Sequence, residues 1–122
     1  MGITRIIPQL RTTDMTASIS FYTEKLGFSV KFNYQDFYVG VGIGGNLIHL
    51  KHVDQKNPSI SFVKDGEHLH LYLDTSDVTQ LAEKLKAKGV QFLMDVCETP
   101  WQTREFAIQD DQGHTLYFAE PL

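Results

Sequence analysis

The chain has 122 residues, 42% hydrophobic and 21% charged, which suits one globular domain with one core and excludes a disordered chain. A formal net charge of −4 excludes the basic face that nucleic acid demands and is compatible with a cationic small molecule, which an acidic surface concentrates. No apolar run approaches the roughly 18 residues of a membrane span, and the opening residues lack a signal peptide's apolar stretch, so a cytoplasmic protein with no membrane partner is expected. Cys97 is the one cysteine; it cannot close an internal disulfide, fits a reducing compartment, and is expected to be a buried apolar filler.

An extended segment leads to Thr12-Thr13-Asp14-Met15-Thr16, where side-chain oxygens suit a helix N-terminus. The helix is predicted over roughly Met15 to Leu26, with Met15, Ile19, Tyr22 and Leu26 as its apolar stripe. Gly27 follows as C-terminal cap, then a strand over Phe28–Phe32. Strands are predicted at Phe37–Val41 and Asn46–His52, turned by Gly42, Gly44 and Gly45, and Val53–Gly66 reads as a connector. The second half repeats the order. A strand over His68–Asp74 leads to Thr75-Ser76-Asp77-Val78-Thr79, a helix over roughly Val78–Lys88, the cap Gly89 and a strand over Val90–Met94. Arg104–Gln109 and Thr115–Glu120 complete it, turned by Asp110-Asp111-Gln112-Gly113. Each half is thus βαβββ.

Alternation along the strands separates a face that packs under a helix from a face free for chemistry. In His68–Asp74 the leucines take the first face and His68, His70, Tyr72 and Asp74 the second. Tyr117 opposes Leu116 and Phe118, and His49 opposes Ile48 and Leu50. Phe32, Tyr34, Phe37 and Tyr38 gather around one strand pair, and Trp101 stands alone beside Pro100, where a stiffened loop makes a stacking wall for a flat ligand. The frequency of aromatics points to a cavity for an organic small molecule. His49, His68 and His70 supply imidazoles but no placed carboxylate, and no zinc, phosphate-loop or nucleophile motif is present, so no metal and no cofactor is expected.

Two segments carry a family resemblance. Phe21-Tyr22-Thr23-Glu24-Lys25-Leu26-Gly27-Phe28 and Pro100-Trp101-Gln102-Thr103-Arg104-Glu105-Phe106 resemble the bleomycin resistance proteins, within the vicinal oxygen chelate superfamily that also holds glyoxalase I and the fosfomycin resistance enzymes. Gln102 stands where the resistance proteins carry glycine. The resemblance spans nearly the whole chain. It implies one α+β domain over 1–122, two βαβββ modules (about 1–56 and about 66–122) forming a cupped mixed sheet with helices on the outer face. It implies a homodimer with crevices at the subunit interface, Pro8 lying near an exchanged first strand. It also implies a non-catalytic protein that sequesters a flat, cationic, bleomycin-type glycopeptide and so gives antibiotic resistance.

Phe37 and Trp101 would flank the flat bithiazole, with Phe32 a second matching aromatic, and His49, His68 and Tyr117 would complete the ligand-binding set. The superfamily's four metal positions fall on Ile7, His49, His68 and Tyr117; two histidines survive and the carboxylate is lost. The alternatives are a divalent-metal enzyme of glyoxalase or thiol-transferase type using His49 and His68, and a binder of an unrelated metabolite.

Overall fold

The computed structural model describes residues 2–122, which divide into two compact units, one ending at Asn57 and the other Pro58–Leu122. In the N-terminal unit β1 (Gln9–Thr12) is followed by α1 (Met15–Ser20), β2 (Ser29–Tyr34), β3 (Tyr38–Ile43) and β4 (Asn46–His52). The sheet order is β1-β4-β3-β2, with β1 parallel to β4 and the other pairs antiparallel. Asp14 caps α1 by accepting the Ala17 N–H at 3.0 Å. The helix then widens into one π-turn over Phe21–Lys25, which brings Tyr22 fully inside against Phe28, edge to face at 5.7 Å. Gly27 (φ +81°) ends it in the left-handed conformation, with Phe28 N–H returning to the Tyr22 carbonyl. The core is the face where Leu10, Val39, Val41, Ile48 and Leu50 meet Met15 and Tyr22.

The C-terminal unit repeats this plan and adds one helix. It contains α2 (Pro58–Asp65), β5 (Leu71–Asp74), α3 (Val78–Ala87), β6 (Phe92–Glu98), β7 (Thr103–Gln109) and β8 (Thr115–Pro121). Sheet order β5-β8-β7-β6, with the β5–β8 pair parallel, copies the first. Asp77 caps α3 through the Gln80 N–H at 3.0 Å, and Gly89 (φ +77°) ends it. Phe106 is fully buried between Phe92 and Phe118, stacked at 5.3 and 5.0 Å. In both units the edge strand opposite the parallel pair, β2 or β6, is bulged, a device that twists an edge away from further pairing. The two four-stranded mixed sheets with their helices are thus the α+β, repeated βαβββ architecture expected from the sequence. Among the described residues no helix is long and apolar enough to cross a membrane.

Three local expectations change. The connector Val53–Gly66 holds α2, which starts at Pro58 because proline's fixed φ suits the first helical position, where no N–H is needed. The strand expected over His68–Asp74 begins only at Leu71, since His70 is drawn into side-chain bonding with the start of β8. Cys97 is exposed on the bulged edge strand β6, with the Met94 sulfur 4.0 Å away, rather than filling the core.

Candidate functional site

In the N-terminal unit the register places Gln9, His49 and Gly40 in one row across the sheet, on the face away from α1. Gln9 Nε2 donates to Tyr38 Oη at 3.0 Å, and Tyr38 Oη lies 2.9 Å from His49 Nδ1. With Gln9 donating into the phenol oxygen, the phenol proton can go to Nδ1, which puts the imidazole proton on Nε2. Phe32 lies over this row. Its ring meets His49 edge to face at 5.3 Å and stacks with Tyr38 at 6.3 Å. Gly40 makes that possible, because a Cβ there would sit 2.2 Å from Phe32 Cε2. Phe37, at the end of the β2–β3 hairpin, tilts against His52 at 6.2 Å, and both phenylalanines keep much of their surface exposed.

In the C-terminal unit the corresponding face is organised by an acid. Glu105 is only 3% exposed. Three donors converge on its Oε2: the Tyr72 hydroxyl, the Thr103 hydroxyl at 2.9 Å and the Trp101 indole N–H at 3.4 Å. Hydrogen bonds to an ionised acceptor are the stronger kind and can hold a carboxylate in a dry setting. The Glu105 bond is the main reason the Tyr72 phenol is pushed up to about 12, with desolvation second. Tyr72 also stacks on Tyr117 at 6.5 Å, so the two tyrosines and the acid form one strip. Trp101, 67% exposed, ends it on the turn between β6 and β7.

That turn explains the Pro100–Phe106 segment residue by residue. Gln102 sits at φ +69°, the left-handed region where glycine is the unstrained residue. Arg104 points to the other face and pairs with Glu98 at 3.1 Å and Glu120 at 3.5 Å, tying β6, β7 and β8 together. Glu105 turns toward the strip and Phe106 into the core.

The expected site residues divide between the units: Phe32, Phe37 and His49 in the N-terminal unit, and Trp101, Tyr117 and His68 in the other. Trp101 and Tyr117 join one strip, whereas His68 is exposed after α2, its Nδ1 taken by the Leu69 N–H at 2.6 Å. His70 serves the fold. Its Nδ1 accepts the Thr115 N–H at 3.0 Å and its ring meets buried His114 edge-on at 4.9 Å. Burial, then the His114 charge, pushes its pKa below the ordinary histidine value. Among the described residues no group of three or more His, Cys, Asp or Glu could hold a metal ion. Ile7 and Tyr117 supply no metal-binding carboxylate or imidazole, so this donor set does not fit a catalytic divalent metal. Sequence reasoning put Tyr72 on the chemical face but gave no role to Glu105 or Thr103, which it read only as members of the Pro100–Phe106 segment. The signal was present in the alternation of Thr103–Gln109, which puts Glu105 on the face opposite Phe106 and Ile108.

A repeated βαβββ unit with a helix on one face of each sheet and an aromatic, polar opposite face defines a recognisable class. Residues 2–118 match the Glyoxalase/Bleomycin resistance protein/Dioxygenase superfamily, and the chain belongs to that superfamily. Among solved structures it is similar to a glyoxalase-related enzyme from Clostridium phytofermentans (19% identity, 100% of this chain and 98% of that one, TM-score 0.80). It is also similar to the bleomycin-binding protein of bleomycin-producing Streptomyces verticillus, complexed with copper(II)-bleomycin (24% identity, 97% and 96%, TM-score 0.71). A third neighbour is lactoylglutathione lyase from Agrobacterium tumefaciens (16% identity, 96% and 92%, TM-score 0.73). At these identities the likeness is one of fold, shared by binders and enzymes alike. No curated protein matches the chain.

Proposed function

We propose that this protein is a non-catalytic binder of a flat, cationic small molecule, with a bleomycin-type glycopeptide as the first candidate. One observation carries the reading: an exposed indole, Trp101, whose N–H is directed at the buried Glu105 carboxylate. An aromatic face suits a planar heterocycle, and an adjacent anion suits a cation. All three donors to Glu105 go to Oε2, which leaves Oε1 for a donor of the ligand. The exposed rings of Phe32 and Phe37 are further stacking surfaces, and Tyr117, His49 and His68 complete the ligand-facing set. The donor set supports sequestration over metal-dependent turnover. Protection would then follow from affinity and abundance in the cytoplasm. Self-association as a homodimer belongs to the same proposal, because Ile3 and Ile6, ahead of β1, are almost fully exposed apolar side chains.

The test is a titration with metal-free and copper-loaded bleomycin, following Trp101 fluorescence and heat together. Saturable quenching at one site per chain is expected, with a loss of at least about tenfold in Trp101→Ala, since one aromatic stacking surface is worth roughly 1–3 kcal/mol. Equal affinity in Trp101→Ala would overturn the stacking role. Absence of binding would overturn the drug assignment.

A further inference from the structure

A cavity of about 590 Å3 opens within the C-terminal unit, at the end of the sheet face away from Trp101 and Glu105. Met94 and Ala107 give it an apolar floor, and Tyr117 forms part of the wall. Lys64, Asp65 and Glu67, from the end of α2 and the turn after it, stand at the rim. Two carboxylates against one ammonium, with the His68 imidazole beside them, leave the rim no excess of positive charge to draw an anionic guest.

Thr115 also lines this cavity, and it is the second observation that points to a ligand. It is 3% exposed, and its hydroxyl is the one buried side-chain polar atom without a hydrogen-bond partner among the described residues. Its backbone is satisfied on both sides, by His70 Nδ1 and by the His70 N–H. Valine has the same shape and suits a strand better, so a threonine here keeps a hydroxyl that the fold itself leaves unbonded.

We propose that this cavity takes a neutral or cationic organic molecule with an apolar body, whose leading hydroxyl or amine bonds to the Thr115 hydroxyl. The inference rests on the reading of this sheet face as a ligand surface and adds the chemistry accepted at its second end. The floor receives the apolar body. The threonine hydroxyl, able both to donate and to accept, meets either head group.

Three probes that share a ring and differ in head group test it on the full chain: benzyl alcohol, benzylamine and benzoate, followed by amide chemical shifts. The first two are expected to give saturable shifts centred on Met94, Ala107, Thr115 and Tyr117, with benzoate at least about tenfold weaker. Thr115→Val should weaken benzyl alcohol and benzylamine about fivefold or more, the worth of one ordinary hydrogen bond. No saturable shift at these residues, equal affinity for all three probes, or unchanged affinity in Thr115→Val would each overturn the proposal. Bleomycin quenching of Trp101 reads the other end of the face. A failed bleomycin titration alongside saturable benzylamine shifts overturns the drug assignment and supports this one; the reverse overturns this one.

Discussion

The two units repeat one topology and use it differently. In each sheet a row crosses from the parallel outer strand to its neighbours: Gln9, His49 and Gly40 in the first, Tyr72, Tyr117 and Ala107 in the second. Glycine in the first row lets the Phe32 ring lie on the sheet, so that face carries an aromatic lid beside a hydrogen-bonded Gln9–Tyr38–His49 chain. Alanine in the second row keeps the floor open, and the face is organised around a buried carboxylate. Strand order sets where the rows run. A single methyl group within the row, and a buried carboxylate beside it, distinguish the second face from the first.

The largest effect should come from removing that charge. Glu105→Ala strips three donors of their acceptor and is expected to cost about 2–4 kcal/mol, since hydrogen bonds to charged groups contribute about 1.5–3 kcal/mol and the freed donors lose their partner. Urea unfolding reads the loss, and Trp101 fluorescence anisotropy should fall as the indole is released. If stability is unchanged, Glu105 is not the organising group of its face. The counterpart in the first unit is Gly40→Ala, which gives its row the alanine of the second. The new Cβ must displace the Phe32 ring, at a cost of about 1–2 kcal/mol as for other overpacking changes. Aromatic near-ultraviolet dichroism should weaken while the Glu105 cluster keeps its signature. An unaltered aromatic spectrum would refute the lid.

A pH experiment separates the units further. His70 holds its pKa below the unfolded value because burial and His114 disfavour its charge. The folded form therefore binds fewer protons than the unfolded form as pH falls below about 6.5. Stability from this group is full above that pH and is lost below it. A smaller protection factor for the Thr115 amide, whose N–H His70 accepts, is expected at pH 5 than at pH 7 once the intrinsic pH dependence of exchange is divided out, and His70→Asn should flatten that dependence. A Thr115 amide equally protected across the range would contradict it. The smallest effect is a gain. Gln102→Gly relieves the left-handed backbone at φ +69° and should stabilise by up to about 1 kcal/mol, partly offset by glycine's greater unfolded entropy. A lower melting temperature in that variant would show that the Gln102 side chain contributes more than its strain removes.

The helix starts at Asp14 and Asp77, the glycine stops at Gly27 and Gly89, and the alternation in β4 and β8 were all legible, because each depends on residues a few positions apart. What escaped depended on partners far away. Cys97 looked like a core residue by type, yet the bulges of β6 leave it exposed. His70 looked like a member of the chemical face until Thr115, 45 residues on, claimed its Nδ1. Glu105 was visible as one letter of a motif, but its meaning came from Tyr72, 33 residues earlier.

The sequence by itself determined the repeated βαβββ plan and the existence of an aromatic, polar face on each half, because hydrophobic period and capping chemistry act locally. Only the tertiary structure decided which polar groups meet, namely the Glu105 cluster, the Phe32 lid on Gly40 and the unbonded Thr115 hydroxyl. Those depend on strand register, which juxtaposes residues tens of positions apart and sets which buried groups find partners.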